Sequence, residues 1–339
     1  MRVLAIQLKR IGDLILTTPS LNLLRDRHPG AMVDLILSEN VSQLAPAITS
    51  VNPLVYSSLS QNIRLWRYLR REKFAACYDF TGTDRSALVT LLSGAPCRRT
   101  FRRVVERSSW RRLVYNELVE SSVRENHTVD HYLDLVELER DRKRTLLPEL
   151  KIPSNSTGKA EQILKGLGIA NGNFFIVHPG SARIEKMWPP ERWSQVIEHC
   201  TKTYLLPCLL TGGRAELEKA HVEKIISKVG DSPCYNLCGQ TDLLTLGALI
   251  EQSRFLLGVD SAAVHLAGAF GIAHVVLYGP TNPFHWCSRN ENATVLLAGH
   301  TKPLRKFETR HQKLPVANIT TQQVILALKS RINTDPTLI

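Results

Sequence analysis

Short stretches of small and polar residues follow several apolar runs in the second half of the sequence. They are His178–Ser181, Thr211–Arg214, Cys238–Gln240, Gly258–Ser261 and Gly279–Thr281. Small residues let the backbone approach a ligand closely, and free amide groups at the start of a helix bind anions. One such turn would suit any strand-to-helix connection, but five of them predict a site for a phosphorylated ligand.

The most specific of these segments begins at Asp260. Asp260 or Ser261 can cap a helix, and the small side chains of Ala262 and Ala263 leave the first amides open to an anion. A capped helix without a ligand is the structural alternative. His265 fits equally well as a ligand contact and as a buried core histidine.

Two charged residues suit the same ligand. Lys186 lies between a strand-end loop and a helix that begins with proline, where its ammonium can reach a phosphate, although a solvated loop lysine is the alternative. Glu216 follows the Thr211–Gly213 turn in the first turn of a helix. It can accept hydrogen bonds from ribose hydroxyls or simply complement the helix N-terminus.

The first half offers a candidate base and a basic cluster. Asp13, in the first strand-to-helix loop, is either a general base or a helix N-cap. Between residues 98 and 112, Glu106 is the only acidic residue among a run of arginines. This basic segment fits three roles: contact with a polyanion, contact with anionic lipid, or a solvated face. These arginines are Arg98, Arg99, Arg102, Arg103, Arg107, Arg111 and Arg112.

The elements that must position these residues alternate along the chain. Apolar runs such as Val3–Leu8, Met32–Leu37 and Tyr204–Leu210 are predicted strands, and amphipathic stretches between them are predicted helices. This alternation predicts parallel sheets covered on both faces. The stretch Leu147–Gly158 is rich in proline and serine and is predicted to link two domains.

Composition limits the class of protein. The chain has 339 residues, of which 43% are apolar and 22% charged, as in a globular protein of two domains. The net charge is +12, with +8 before residue 170, which favours a nucleic acid, a membrane surface or a phosphorylated substrate as partner. We expect no membrane span or signal peptide, and seven reduced cysteines in a cytoplasmic protein.

Taken in order, the motifs resemble those of glycosyltransferase family 9, the lipopolysaccharide heptosyltransferases. Ile11–Ser20 is similar to the opening motif of that family. Its donor-site motifs are matched by His178–Ser181, Lys186–Trp193, Thr211–Gly213 and Asp260–His265, and Gly279–Thr281 follows in the expected place. The similarity spans residues 1–285, and the order and spacing of the motifs make it specific.

The resemblance implies a GT-B architecture, an α/β fold of two Rossmann-like, doubly wound parallel-sheet domains that face each other across a cleft. Residues 1–155 would bind the acceptor, residues 156–318 the nucleotide-sugar donor, and residues 319–339 would form a helix packing back on the N-terminal domain. The implied reaction is an inverting transfer of heptose, without a metal or other cofactor, from a nucleotide sugar such as ADP-heptose to the lipopolysaccharide inner core. A relative using another nucleotide sugar or surface glycan is the alternative.

The resemblance also assigns roles to single residues. Asp13 matches the catalytic base, Lys186 the lysine on the donor diphosphate, and Glu216 the acid near the ribose. The other donor-binding residues are Ser181, Thr211, Gly212, Asp260, Ser261, Ala262, Ala263 and His265. Candidate acceptor-binding residues are Arg10, Arg98, Arg102, Arg103 and Arg107. The expected partners are a nucleotide sugar, an anionic glycolipid and the cytoplasmic face of the inner membrane, but no nucleic acid.

Three rival functions fit less well. A Rossmann oxidoreductase would need G-x-G-x-x-G after the first strand, where Lys9–Leu14 contains one glycine. A nucleic-acid-binding protein would need a recognition module or stacking platform, and none is legible. A silent GT-B scaffold is disfavoured because Asp13 and Lys186 are intact.

Overall fold

The chain divides into two compact units, Met1–Lys151 and Ile152–Ile339. The computed structural model describes residues 1–57, 62–137, 139 and 145–334. The division predicted after residue 155 lies further along the chain, inside the helix Ser154–Gly166. The assignment of one unit to the acceptor and the other to the donor stays a prediction.

The first unit alternates strands and helices from its first residues. Its strands are β1 (Arg2–Gln7), β2 (Met32–Ser38), β3 (Asn52–Tyr56), β4 (Phe74–Asp79), β5 (Cys97–Phe101) and β6 (Glu117–Val119). Its helices are α1 (Ile11–Arg27), α2 (Ile63–Arg71), α3 (Asp84–Leu92), α4 (Arg102–Glu106) and α5 (Thr128–Val136). Val3, Leu4, Ala5 and Ile6 of β1 are buried on both faces, as expected for a central strand of a parallel sheet.

The second unit repeats the pattern. Its strands are β7 (Phe175–His178), β8 (Cys208–Leu210), β9 (Cys234–Asn236), β10 (Leu256–Val259), β11 (His274–Tyr278) and β12 (Ala293–Leu297). Its helices are α6 (Ser154–Gly166), α7 (Pro190–Tyr204), α8 (Glu216–Ile226), α9 (Leu243–Glu251), α10 (Ala262–Ala269), α11 (Pro283–Trp286) and α12 (Thr321–Thr334).

Both sheets are doubly wound. The strand order is β3-β2-β1-β4-β5-β6 in the first and β12-β11-β10-β7-β8-β9 in the second, with all described pairings parallel. The order reverses between β1 and β4, and between β7 and β10. Ligands of such sheets bind beyond the carboxyl ends of the strands at these switch points. The predicted α/β fold of two Rossmann-like, doubly wound domains is confirmed.

Aromatic pairs fill the core of the second unit. Trp188 and Trp193 meet edge to face with ring centroids 5.0 Å apart, and Phe175 stacks on Phe255 at the same distance. Helix α12 packs on α7 and on the β11–β12 edge. Its side chains at Val324, Ala327, Leu328 and Ile332 are part of this core. The predicted packing of this helix on the N-terminal domain stays a prediction.

One element prediction is wrong at its start. The apolar run Tyr204–Leu210 predicts a strand throughout, but α7 continues to Tyr204 and the strand begins only at Cys208. Leu205 ends the helix in a left-handed conformation with φ 55°, which turns the chain back toward the sheet. Within the ranges described above, no helix has both the length and the apolar character needed to cross a bilayer.

Candidate active site

An ion pair lies at the switch point of the second sheet. Lys186, in the turn that follows β7, places its Nζ 2.6 Å from Oδ2 of Asp260, which directly follows β10. The two side chains are only 14% and 10% exposed. Lys186 is therefore not a solvated loop lysine, because its charge is held where the loops after β7 and β10 meet.

The N-terminus of α10 adjoins this pair. Ser261 is the N-cap residue, but its side chain makes no capping hydrogen bond. Within the described part of the chain, the buried Oγ of Ser261 has no hydrogen-bond partner. The first amides of α10, from Ala262 onward, also lack intrahelical partners by the geometry of a helix end. An unpartnered hydroxyl, open amides and an ammonium together suit an anion with several oxygens.

A carboxylate that sequence reasoning missed lies among the glycines after β7 and β8. The backbone amide of Gly213 donates to Oε2 of Glu218 at 2.8 Å. A Cβ at Gly180 would lie 2.4 Å from the same oxygen, and one at Gly212 would lie 2.6 Å from Sγ of Cys238. A larger residue at these glycines would displace the Glu218 carboxylate or the Cys238 thiol, because these groups occupy the space that its side chain would take.

Glu216, the predicted ribose contact, lies elsewhere on the same helix. Its side chain is 88% exposed and pairs with Nζ of Lys219 at 2.7 Å. The two glutamates are two residues apart, so they project about 200° apart around the helix axis. Of the two, only Glu218 reaches the glycine turns.

Three further residues predicted to bind the donor, Thr211, Ser181 and His265, differ in the burial and hydrogen bonding of their side chains. Thr211 is buried, with its Oγ1 2.9 Å from Nδ1 of His178, so its side chain supports the loop. Burial lowers the pKa of His178 to about 4, which keeps this imidazole neutral. Oγ of Ser181 accepts from the amide of Arg183 at 3.3 Å. His265 is buried on α10, one turn after its start.

Asp13 lies in the first turn of α1 in the first unit and is almost fully buried. Its Oδ1 accepts a hydrogen bond of 2.7 Å from the hydroxyl of Tyr132 on α5, 119 residues away. The N-cap residue of α1 is Arg10, an exposed residue without a side-chain capping bond. The N-cap alternative for Asp13 is therefore wrong, and its carboxylate is held by a tertiary contact.

A lysine that sequence reasoning did not single out lies beside this pair. Lys9 donates through Nζ to the Tyr132 hydroxyl at 3.3 Å and to the Phe80 carbonyl at 3.1 Å. Burial lowers the pKa of Lys9, while the negative charge of Asp13 opposes this shift. The positive charge of Arg103 also lowers the pKa of Lys9, so one arginine of the basic cluster acts on Lys9.

Part of the arginine cluster is neutralised. Acids distant in sequence pair with three of its members: Glu117 with Arg99, Glu120 with Arg102, and Asp84 with Arg111. Arg98 instead donates to the carbonyls of Ala95 and Val114. Glu106 is thus not the only opposing acid. Among the described residues, Arg103 and Arg107 have no carboxylate partner, so the cluster divides into structural and available arginines.

A pocket of about 430 Å³ opens at the carboxyl ends of β1 to β4. It lies at the switch point of the first sheet, and Lys9 belongs to its wall. Its polar lining has hydroxyl, amide, acidic and basic groups, an assortment that suits a polyhydroxylated ligand. The other lining residues are Leu8, Ser38, Glu39, Asn40, Tyr56, Ser57, Thr81, Thr83, Asp84 and Arg85.

Comparison with known proteins agrees with this architecture. A family model described as "Glycosyltransferase family 9 (heptosyltransferase)" matches residues 62–316. Lipopolysaccharide heptosyltransferase 3 of Escherichia coli (strain K12) is 23% identical over 340 residues, covering 96% of each chain.

Two solved structures share the fold. The glycosyl transferase family 9 protein from Veillonella parvula DSM 2008 gives a TM-score of 0.86 at 21% identity, covering 98% of this chain and 97% of its own. ADP-heptose lps heptosyltransferase II of E. coli gives 0.80 at 21% identity, covering 98% and 99%. The predicted GT-B architecture is confirmed by these similarities.

Proposed function

The chain belongs to glycosyltransferase family 9, and from this premise we propose that it transfers a heptose from ADP-heptose to the inner core of lipopolysaccharide, with inversion at the anomeric carbon. That it is a glycosyltransferase follows from the family itself. The donor and acceptor are our proposal, supported by the names of the relatives and by the chemistry of the two units.

The donor proposal depends above all on the Lys186–Asp260 pair beside the start of α10. We place the diphosphate there, with the Ser261 hydroxyl and the amides of Ala262 and Ala263 donating to its oxygens. When the bond to the sugar breaks, its electron pair leaves on the diphosphate. The ammonium of Lys186 and the helix N-terminus would stabilise that charge, so we propose that transfer requires no metal ion.

The geometry of the two glutamates supports a proposal for the ribose position. Glu218 lies in the first turn of α8, and its carboxylate reaches the glycine turn that follows β8. Rossmann folds bind ribose hydroxyls with an acidic side chain of this kind. We therefore assign the ribose contact, which the resemblance gave to Glu216, to Glu218. A carboxylate already held by one amide can accept two hydroxyl hydrogen bonds without moving.

The acceptor half uses Asp13 as base. Its carboxylate would take the proton of the acceptor hydroxyl while that oxygen attacks the anomeric carbon from the face opposite the diphosphate. We propose that the 430 Å³ pocket holds the attacking sugar, since it offers hydroxyl and carboxylate partners and Lys9 in its wall contacts Tyr132, the hydrogen-bond partner of Asp13. Arg103 and Arg107 would bind anionic groups of the glycolipid.

We also propose that the basic cluster rests on an anionic membrane surface. Leu113 is 82% exposed and Trp110 38%, and the exposed Arg107 and Arg112 lie close to them in sequence. Exposed apolar side chains among arginines suit the boundary between headgroups and acyl chains. Sedimentation with anionic but not zwitterionic vesicles would support this, and equal sedimentation with both would contradict it.

A binding and transfer assay tests the function. The purified protein is titrated calorimetrically with ADP-, GDP- and UDP-linked sugars, and transfer is followed to lipopolysaccharide that lacks core heptose. We expect binding of the ADP sugar and addition of one heptose mass. Selective use of another nucleotide sugar would establish the same-family alternative instead, and the absence of any transfer would refute the proposed acceptor.

A further inference from the structure

Among the described residues, the side chain of Asp13 is held at one of its two oxygens. The Tyr132 hydroxyl donates to Oδ1 at 2.7 Å, and both residues are buried. The ring of Tyr132 meets Phe80 edge to face with centroids 5.8 Å apart, which fixes its orientation. A carboxylate bound this way keeps Oδ2 available for the proton of a substrate.

The Tyr132 oxygen is itself a hydrogen-bond acceptor. Nζ of Lys9 lies 3.3 Å from it and 5.2 Å from the ring centroid. Burial and the adjacent Asp13 raise the pKa of Tyr132 well above its usual value, so the phenol stays protonated and acts as a donor. The ammonium of Lys9 draws electron density from the phenol oxygen and strengthens its hydrogen bond to Asp13.

The backbone of the same turn is fixed independently. Gln7 donates to Oγ1 of Thr17 at 2.8 Å, and that hydroxyl donates to the Asp13 carbonyl at 2.7 Å. The base therefore has two supports, one for its main chain and one for its carboxylate. Only the hydrogen bond from Tyr132 acts directly on the charge of the Asp13 carboxylate.

We propose that Tyr132 is a positioning residue for Asp13 and that Lys9 acts on the base through Tyr132; this rests on the proposed role of Asp13 as base. In the transfer step the acceptor O–H bond breaks, its proton goes to Oδ2 of Asp13, and the oxygen forms the new bond to the anomeric carbon. The bond to the diphosphate breaks with its electron pair on the leaving group, and Tyr132 keeps its proton throughout.

Lys9 and the titratable groups that interact with it bear on what a pH profile would report. Lys9 and Asp79 come from the ends of β1 and β4, Arg103 from α4 and His131 from α5. Burial lowers the pKa of His131 to about 3, so this imidazole stays neutral across the working range. A hydrogen bond donated to a carboxylate favours its ionised form.

The test compares the pH–rate profiles of Tyr132→Phe and wild type. We expect kcat to fall about ten- to hundredfold, the worth of a hydrogen bond to a charged group, while the donor KM stays within about twofold. The acidic limb of the profile should move to higher pH. Lys9→Met should move the acidic limb in the same direction. In the double variant, Lys9→Met should move the limb less than it does in wild type, because without the Tyr132 hydroxyl Lys9 can no longer act on Asp13 through the phenol.

Tyr68→Phe is the matched control. Tyr68 accepts a hydrogen bond from Arg2 at 2.7 Å and donates one to the buried Asp34 at 2.9 Å, the same order of cation, phenol and carboxylate in the same unit, and among the described contacts it has none with Asp13. We expect this variant to have a lower Tm than wild type, while the acidic limb of its pH–rate profile stays at the wild-type pH. If wild type transfers sugar and Asp13→Asn does not, but Tyr132→Phe and Lys9→Met both keep the wild-type profile, this inference is wrong and the proposed function stands. Transfer by Asp13→Asn at the wild-type rate would instead refute the base itself.

Discussion

Lys186 and Asp260 are 74 residues apart in the chain, yet their Nζ and Oδ2 atoms lie 2.6 Å apart at the switch point of the second sheet. An ammonium held by a carboxylate is ordered before any ligand arrives, so little side-chain entropy is lost when a diphosphate binds. The ammonium retains further hydrogens for the incoming oxygens.

Lys186→Met should therefore weaken ADP binding. We expect the dissociation constant to rise about ten- to hundredfold, because a charge-assisted hydrogen bond is lost and Asp260 is left unpaired beside the diphosphate. Calorimetry measures this directly. Lys159→Met is the control, since Lys159 forms an exposed pair with Asp242 in the same unit and should leave ADP affinity unchanged. Equal affinity in Lys186→Met and wild type would exclude Lys186 from the site.

The two glutamates of α8 give a second prediction. Glu218→Gln should reduce ADP affinity about tenfold but leave the affinity for 2′-deoxy-ADP almost unchanged, because the lost contact is to a ribose hydroxyl. Glu216→Gln should affect neither ligand, since that side chain lies in solvent with Lys219. The opposite result for the two variants would restore the assignment made from the resemblance.

Removal of the base separates chemistry from binding. Asp13→Asn should lower kcat by at least about a hundredfold, the usual contribution of a general base, with ADP affinity unchanged. Single-turnover assays with saturating donor measure the chemical step. Equal loss of donor binding would show that the substitution disturbs the fold rather than the reaction.

The division of the arginine cluster predicts two kinds of variant. Arg103→Gln and Arg107→Gln should each raise the acceptor KM about three- to tenfold without changing the donor KM, because their charges are not neutralised by described acids. Arg99→Gln should instead lower the Tm, since Arg99 bridges Glu117 and the carbonyls at the end of α5. If all three variants only lower the Tm, the cluster has a structural role alone.

Buried histidines predict acid sensitivity of the second unit. Burial lowers the pKa values of His178 and His274 to about 4, against about 6.5 in the unfolded chain. Between these values the unfolded state binds more protons, so stability is complete above pH 6.5 and falls as the pH decreases toward 4. Each histidine costs about 1.4 kcal/mol per pH unit in this window. Calorimetric Tm values should decline there, and less steeply in His178→Asn; a flat Tm would contradict the shifts.

Local sequence determined the strands, the glycine turns and the order of the motifs. Alternating apolar runs and helical stretches suffice for a doubly wound sheet, and parallel strands bring their carboxyl ends to one edge. The positions of Asp13, Lys186 and the start of α10 could therefore be predicted. They lie next to strand ends, so once the strands are identified in the sequence, the edge of the sheet at which these residues lie is known.

Tertiary structure decided what depends on the direction in which a side chain points. Glu216 and Glu218 look alike in sequence, but the packing of α8 turns only Glu218 toward the glycines. The contact of Tyr132 with Asp13 spans 119 residues and has no local signal. The acids that neutralise Arg99 and Arg111 likewise come from other elements. Helix rotation and long-range pairing are set by packing of the whole core, which no short segment encodes alone.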